Sequence, residues 1–275
     1  MKNNRRLPKC VLAIAGSDSG AGAGIQADLK AMAAQGVYGL SAITAVTAQN
    51  TVSVEKVHML PPEMVDAQID AVLNDFPVEV VKTGMLGEAK IAGIVAAKLR
   101  QYKIRKLVLD PVMVAKSGDM LLESSAQQTL QEELIPLALL ITPNIPEAEV
   151  LCGHHVKTSA DLKSAARIIH NRGPSYVLLK GGHAKGKEAV DILYDGEKYY
   201  YYRAPRIATK NTHGTGCTFA SAIAAHLALG KTVPLAVKAA REYLQRIIPY
   251  GLNIGQGHGP LDHFRTCRTK LRDTN

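Results

Sequence analysis

Short apolar runs, each closed by a polar or glycine-rich stretch, alternate along this chain with longer segments whose apolar positions recur at helical spacing. The run Cys10–Ala15 predicts a first strand. It gives way to Gly16-Ser17-Asp18-Ser19-Gly20-Ala21-Gly22-Ala23-Gly24, after which Ile25–Gln35 takes up a helical pattern. Further strands are predicted over Leu40–Thr47, Val78–Lys82, the run from Leu107 that ends in Asp110, Leu137–Ile141 and Tyr176–Lys180. Helices are predicted from Pro61 to Asn74, Glu88 to Tyr102, Pro146 onward, Thr158 to Arg172, Phe219 to Leu229 and Val233 to Ile248. Asp191–Tyr194 and Lys198–Arg203 flank Asp195-Gly196 and read as a hairpin, on which Tyr199 to Tyr202 alternate between core and surface. Strand and helix in alternation define an α/β protein with a mostly parallel sheet.

No linker or repeat interrupts this alternation, so 275 residues are read as one domain over residues 10–264, with short tails at 1–9 and 265–275. The net charge of +9 would suggest a nucleic-acid partner if it lay on the domain, but it lies on the tails. Lys2, Arg5, Arg6 and Lys9 have no acid among them, and Arg265, Arg268, Lys270 and Arg272 face only Asp273. With no Trp and three Phe in a nearly neutral body, a stripe of charge and stacking aromatics is not expected, and neither is a nucleic-acid partner. Four cysteines without a CxxC pair predict neither zinc nor a disulfide framework, and point to a reducing, cytoplasmic setting. The apolar run at Cys10 is too short to be a membrane span.

Candidate chemistry gathers where strands end. Asn211-Thr-His-Gly-Thr-Gly-Cys-Thr-Phe219 brings two glycines to the start of a small-residue helix, whose free N–H groups would form an anion hole. Gly214, Thr215 and Gly216 would line that hole, and Cys217 in the first turn would be biased towards thiolate. The glycines of residues 16–24 match neither a P-loop, which needs a closing Gly-Lys-Ser/Thr, nor the spacing of a dinucleotide fingerprint. Gln49 can donate and accept at the edge of a heteroaromatic ring, or be a satisfied loop amide. Asp110 is a candidate Mg2+ or water ligand, or a loop cap. Asn144 and Glu147 could hold a hydrated metal or cap the helix that begins there; spacing does not choose. Lys180 is placed to steer a polyphosphate, and Gly181-Gly182-His183 follow it.

Taken together, Ala15–Lys30, Thr44–Thr51, Lys82-Thr-Gly-Met-Leu86, Asp110–Gly118, Ile141–Ala148, Lys180–His183 and Asn211–Thr218 are colinear with, and resemble, the hydroxymethylpyrimidine and phosphomethylpyrimidine kinases of thiamine biosynthesis, in the ribokinase-like superfamily. The resemblance implies a three-layer α/β/α domain with a mostly parallel central sheet. It implies an enzyme that takes ATP and Mg2+, phosphorylates 4-amino-5-hydroxymethyl-2-methylpyrimidine, and phosphorylates the monophosphate again. By motif position, Asp28, Gln49, Met85 and Val112 would line the pyrimidine pocket. Asp110 and Glu147 would organise the metal, while Asn144, Lys180 and Gly182 would bind the nucleotide phosphates. Cys217 replaces the aspartate of the Gly-Thr-Gly-Asp motif of sugar kinases and would serve as base. Relatives are commonly homodimers. Thr47 stands where some members carry an aliphatic residue. Two other readings remain at this point: a vitamin B6 kinase of the same superfamily, and a sensor that has kept the fold and lost catalysis.

Overall fold

The computed structural model describes residues 7–113, 124–181 and 188–265. Strand β1 (Cys10–Asp18) shows how the sequence sets the layers. Its start is apolar without alternation, as a strand covered on both faces must be. The pleat divides its side chains: Leu12 and Ile14 enter one hydrophobic cluster, Val11 and Ala13 the other. Val81 and Val80 divide in the same way on β4 (Val78–Thr83), and so do Leu107 and Leu109 against Val108 on β5 (Leu107–Leu109).

Helices α1 (Gly24–Ala34), α7 (Thr215–Ala228) and α8 (Val233–Ile247) cover one face. The opposite face carries α2 (Pro62–Asp75), α3 (Ala89–Gln101), α4 (Ser124–Thr129), α5 (Ile145–Cys152) and α6 (Ser159–His170). The result is the three-layer α/β/α arrangement of the resemblance.

Among the described residues one sheet has nine strands, in the order β3-β2-β1-β4-β5-β6-β7-β8-β9. From β2 (Tyr38–Gln49) through β1, β4, β5 and β6 (Leu140–Ile141) to β7 (Tyr176–Leu179) all neighbours are parallel. Antiparallel partners close both edges: β3 (Val54–Met59) on β2, and the hairpin of β8 (Glu188–Tyr194) and β9 (Tyr199–Pro205) on β7. The tyrosines of β9 alternate as expected. Tyr199 stacks on Tyr194 in one cluster, Tyr200 and Tyr202 pack on the other, and Tyr201 is exposed.

Three local differences from the sequence reading have physical reasons. Strand β3 is an edge strand with Glu55, Lys56, Val57 and His58 exposed, so no apolar run announces it. Helix α4 and the irregular turns that follow it to Leu137 bury Ala126, Leu130 and Leu134, a spacing too short to stand out between polar residues. Helix α7 begins at Thr215, four residues before the apolar run, because its first turn faces a cavity.

β1 lies between β2 and β4, so the connections on either side of it leave in opposite directions. In such a sheet the crevice beyond the carboxyl ends of the strands, at this switch in direction, is where a ligand has room.

Candidate active site

Successive strands deliver polar side chains to that crevice. Asp18 ends β1, Gln49 ends β2, Asp110 follows β5, Asn144 follows β6, and Lys180 follows β7 in a parallel bridge to Asn144. A cavity of about 690 Å3 opens there. Gln49, Met85, Val112, Asp110, Asn144, Glu147, Lys180 and all of Gly214 to Cys217 border it. Residues spread over most of the sequence therefore meet in one space. Gly182 and His183 lie outside the described residues.

Asp110 and Lys180 form the charged part of the wall. Lys180 Nζ donates to Asp110 Oδ1 at 2.8 Å, and Thr142 Oγ1 donates to the same oxygen at 3.0 Å. Burial opposes charge on Asp110, but the ammonium groups of Lys180 and Lys82 outweigh it and hold its carboxyl below the usual range. Burial likewise opposes charge on Lys180, and the carboxylates of Asp110 and Glu147 overcome it and raise the lysine.

Asn144 and Glu147 form a reciprocal cap at the start of α5. Glu147 N–H donates to Asn144 Oδ1 at 2.9 Å, and Asn144 N–H donates to Glu147 Oε2 at 2.8 Å. The capping alternative is therefore real, and it holds Glu147 at the cavity rather than removing it. Burial, with the nearby charge of Asp110, pushes the Glu147 carboxyl up to about 7.

This donor set fits a hydrated divalent cation. Two buried carboxylates repel one another, and a cation would relieve that repulsion. Mg2+ commonly takes one or two carboxylates and completes its shell with water and phosphate oxygens. Among the described residues no group of three or more His, Cys, Asp or Glu converges, so an all-protein metal cage is not what these residues build.

The turn before α7 is shaped by close approach. Gly214 has φ of 75°, and a Cβ there would run into the Gly22 carbonyl. A Cβ on Gly22 would in turn meet the His213 ring. Thr215 Oγ1 donates to the Thr212 carbonyl at 2.8 Å and fixes the first turn.

Cys217 corrects one expectation. The helix terminus alone predicts a thiolate. Burial is the larger effect, and against the opposing pull of Lys82 it pushes the thiol up to about 11. A helix terminus contributes about 0.3–1 kcal/mol, less than the cost of burying an anion. In the ligand-free protein the sulfur is protonated at neutral pH.

Asp28 corrects another. It does not border the cavity; it is fully buried on α1, where Lys82 Nζ donates to its two oxygens at 2.8 and 2.9 Å and Ser221 Oγ of α7 donates at 2.6 Å. The inward face of α1, with Ala27 and Ala31, turns this carboxylate towards α7 and the floor of the sheet. Lys82 itself borders the cavity.

The carboxylate that does reach the cavity near the glycine-rich loop is Asp18. It accepts N–H groups from Gly20 at 2.8 Å, Gly22 at 3.0 Å and Ala23 at 2.8 Å, and it meets His213 Nε2 at 2.8 Å. Burial opposes its charge, but the His213 contact and the loop amides prevail and hold it below the usual carboxylate range. Sequence reasoning passed over both residues. The one available signal was an Asp inside Gly-Ser-Asp-Ser-Gly, a residue type that organises turns through backbone N–H groups.

A three-layer domain with a glycine-capped helix end facing a lysine and two carboxylates defines a ribokinase-like small-molecule kinase. Solved structures agree with that class. A Bacillus subtilis pyridoxal kinase in complex with ADP is 38% identical with a TM-score of 0.88, covering 94% of this chain and 98% of that one. A Clostridium difficile phosphomethylpyrimidine kinase is 44% identical with a TM-score of 0.77, covering 86% and 97%.

The family is more specific. The sequence profile described as phosphomethylpyrimidine kinase matches residues 18–262, and the chain belongs to that family. A hydroxymethylpyrimidine/phosphomethylpyrimidine kinase of Haemophilus influenzae is 47% identical over 265 residues, covering 94% of this chain and 98% of that one. A bifunctional thiamine biosynthesis protein of Geobacter sulfurreducens is 51% identical over 264 residues, and here the chain spans about half of the relative's length, 54%. Sequence therefore groups the chain with the phosphomethylpyrimidine kinase family, and a structural neighbour of that fold, the B. subtilis pyridoxal kinase, holds ADP. No helix among the described residues is long and apolar enough to cross a membrane.

Proposed function

We propose that this protein transfers the γ-phosphoryl group of ATP to the hydroxymethyl group of 4-amino-5-hydroxymethyl-2-methylpyrimidine, and then a second phosphoryl group to the monophosphate. The observation that carries the reading is the convergence on one cavity of Lys180, Asp110 and Glu147 with Gln49 and the Gly214–Cys217 turn.

Phosphoryl transfer depends mainly on positioning and charge neutralisation. Lys180 and the α7 terminus supply fixed positive potential for phosphate oxygens. Asp110 and Glu147 would hold Mg2+ through its water shell, and that ion supplies neutralisation of charge on the transferring group. Gln49 addresses the polar edge of the ring beside apolar Met85 and Val112. Cys217, as thiolate, takes the hydroxyl proton in the first transfer, and Lys82 is the neighbour that favours that form. The second acceptor is a phosphate oxygen already without a proton, so it makes no such demand. The reading carries with it a cytoplasmic homodimer that has no nucleic-acid or membrane partner.

The likeness to the B. subtilis pyridoxal kinase supports a second reading, a vitamin B6 kinase. Both substrates are six-membered heteroaromatic rings bearing a hydroxymethyl group. Identity to the H. influenzae enzyme, 47% against 38%, favours the pyrimidine. Incubation with ATP and Mg2+ and each substrate in turn, with products resolved by mass, tests the choice. Pyrimidine monophosphate followed by diphosphate is expected; pyridoxal phosphate without pyrimidine diphosphate would move the enzyme to the second reading.

A further inference from the structure

The Thr47 hydroxyl carries one proton and has two close neighbours. Its oxygen lies 3.0 Å from the Ser17 carbonyl oxygen and 3.1 Å from the position of Gln49 Oε1. Both neighbours as placed are acceptors, and one proton cannot serve two. The Ser17 carbonyl can only accept, whereas the Gln49 amide can exchange its ends, so the proton is assigned to Ser17 and Thr47 offers Gln49 its lone pairs. An amide oxygen set against those lone pairs leaves one of the two contacts without a proton. Turned over about its last bond, the amide donates from Nε2 and both contacts become hydrogen bonds. The oxygen and nitrogen of a glutamine are assigned by such a network.

The backbone of Gln49 is held as well. Ser19 Oγ donates to the Gln49 carbonyl and accepts from the Gln49 N–H, each at 2.8 Å. Gln49 borders the cavity, and its second amide atom has no hydrogen-bond partner among the described residues. That atom is left for a ligand.

We propose that Thr47 is a specificity-determining positioning residue, which turns the Gln49 amide so that its oxygen faces the cavity and accepts from an N–H on the ring beside the reacting hydroxymethyl group. The inference rests on the pyrimidine-kinase reading, in which that neighbouring substituent is an amine. The chemistry orders the competitors. The 4-amino group of the pyrimidine offers N–H to the oxygen. Pyridoxal carries an aldehyde beside its hydroxymethyl group, which would bring two acceptor oxygens together. Pyridoxamine carries an aminomethyl group there and offers N–H again. Gln49 so oriented therefore discriminates most strongly against pyridoxal and less against pyridoxamine, because an unpaired polar group in a closed site costs more than a merely missing contact.

Thr47→Val keeps the shape and removes the oxygen; Thr47→Ser keeps the oxygen. Kinetics of the wild type and both variants with the pyrimidine, pyridoxamine and pyridoxal, together with calorimetric binding of the pyrimidine without nucleotide, test the role. Thr47→Val is expected to raise KM and Kd for the pyrimidine about three- to tenfold, the range of one hydrogen bond. It should leave kcat within about twofold and narrow the preference over pyridoxal by a similar factor, with Thr47→Ser close to wild type. Thr47→Ala replaces the valine variant if melting shows that the latter is not folded. A wild type that phosphorylates the pyrimidine, with Thr47→Val keeping the full preference over pyridoxal, overturns the positioning role alone. A wild type that phosphorylates pyridoxal but not the pyrimidine overturns the underlying reading and this inference with it.

Discussion

Lys82 and Asp28 are each fully buried, and Lys82 Nζ lies 2.8 and 2.9 Å from the two Asp28 oxygens, a charge pair in which Lys82 borders the cavity and Asp28 lies behind it. Removing one partner strands the other. Lys82→Met should cost about 3–5 kcal/mol of stability, whereas Lys82→Met with Asp28→Leu should recover most of it. Urea unfolding at neutral pH measures both. A double variant as unstable as the single one would show that the pair contributes through more than mutual neutralisation.

Cys217 should matter unequally to the two transfers. Alanine there removes a proton acceptor that the hydroxyl needs and the phosphate does not, so the first transfer should fall about a hundredfold or more and the second by a few-fold at most. With the thiol pushed up to about 11, the thiolate fraction grows about tenfold per pH unit below that value. The ratio of first to second kcat/KM, in which ionisations common to both steps cancel, should therefore climb between pH 7 and 9 in the wild type and stay level in Cys217→Ala. Equal losses in the two steps would remove the base role.

Asp18→Ala should loosen the loop of residues 19–23, because four hydrogen-bond donors lose their acceptor. The expected result is a pyrimidine KM raised by about tenfold or more, with faster amide exchange at Gly20, Gly22 and Ala23. Exchange unchanged at those amides would argue that the loop is held by its packing on the 212–214 turn instead.

His263 should contribute stability that acid removes. Its ring meets the Tyr243 hydroxyl at 2.8 Å, and burial, with the charge of Lys30, holds it down to about 4 against an ordinary 6.5. Between those values the unfolded chain binds a proton that the folded chain refuses. Stability from this group is therefore present above about pH 6.5 and lost as pH falls towards 4, by up to about 3 kcal/mol. Glu147, raised to about 7, gains stability over the same fall in pH, and His226, held down to about 4 by burial, loses it. The His263 contribution is therefore read as a difference: between pH 7 and pH 4.5 denaturant unfolding should show the wild type losing up to about 3 kcal/mol more than His263→Gln.

The layers were legible because β1 and β5 are apolar without alternation, and helical spacing marks their partners. β3 was not legible: an exposed edge strand needs only backbone pairing, and Glu55-Lys56 carries no hydrophobic pattern. Motif position singled out Gln49, Asp110, Glu147 and Lys180, and all four border one cavity, since a residue just past a parallel strand opens onto the crevice there. It misplaced Asp28, whose side of α1 is fixed by Lys82 and Ser221, both distant in sequence. It also passed over Asp18 and His213. Their contact joins residues 195 apart, and no local pattern reports a partner at that range.

That span has a consequence for the protein while it is being made. A nascent chain that has reached the end of β9 already carries the lysine and both carboxylates, yet it lacks the imidazole that meets Asp18 and the glycine-capped helix that faces Lys180. The charged half of the crevice is assembled early and the anion-holding half late. The same late segment brings α7 and α8, which cover one face of the sheet, so the anion-holding turn and most of one core layer arrive together.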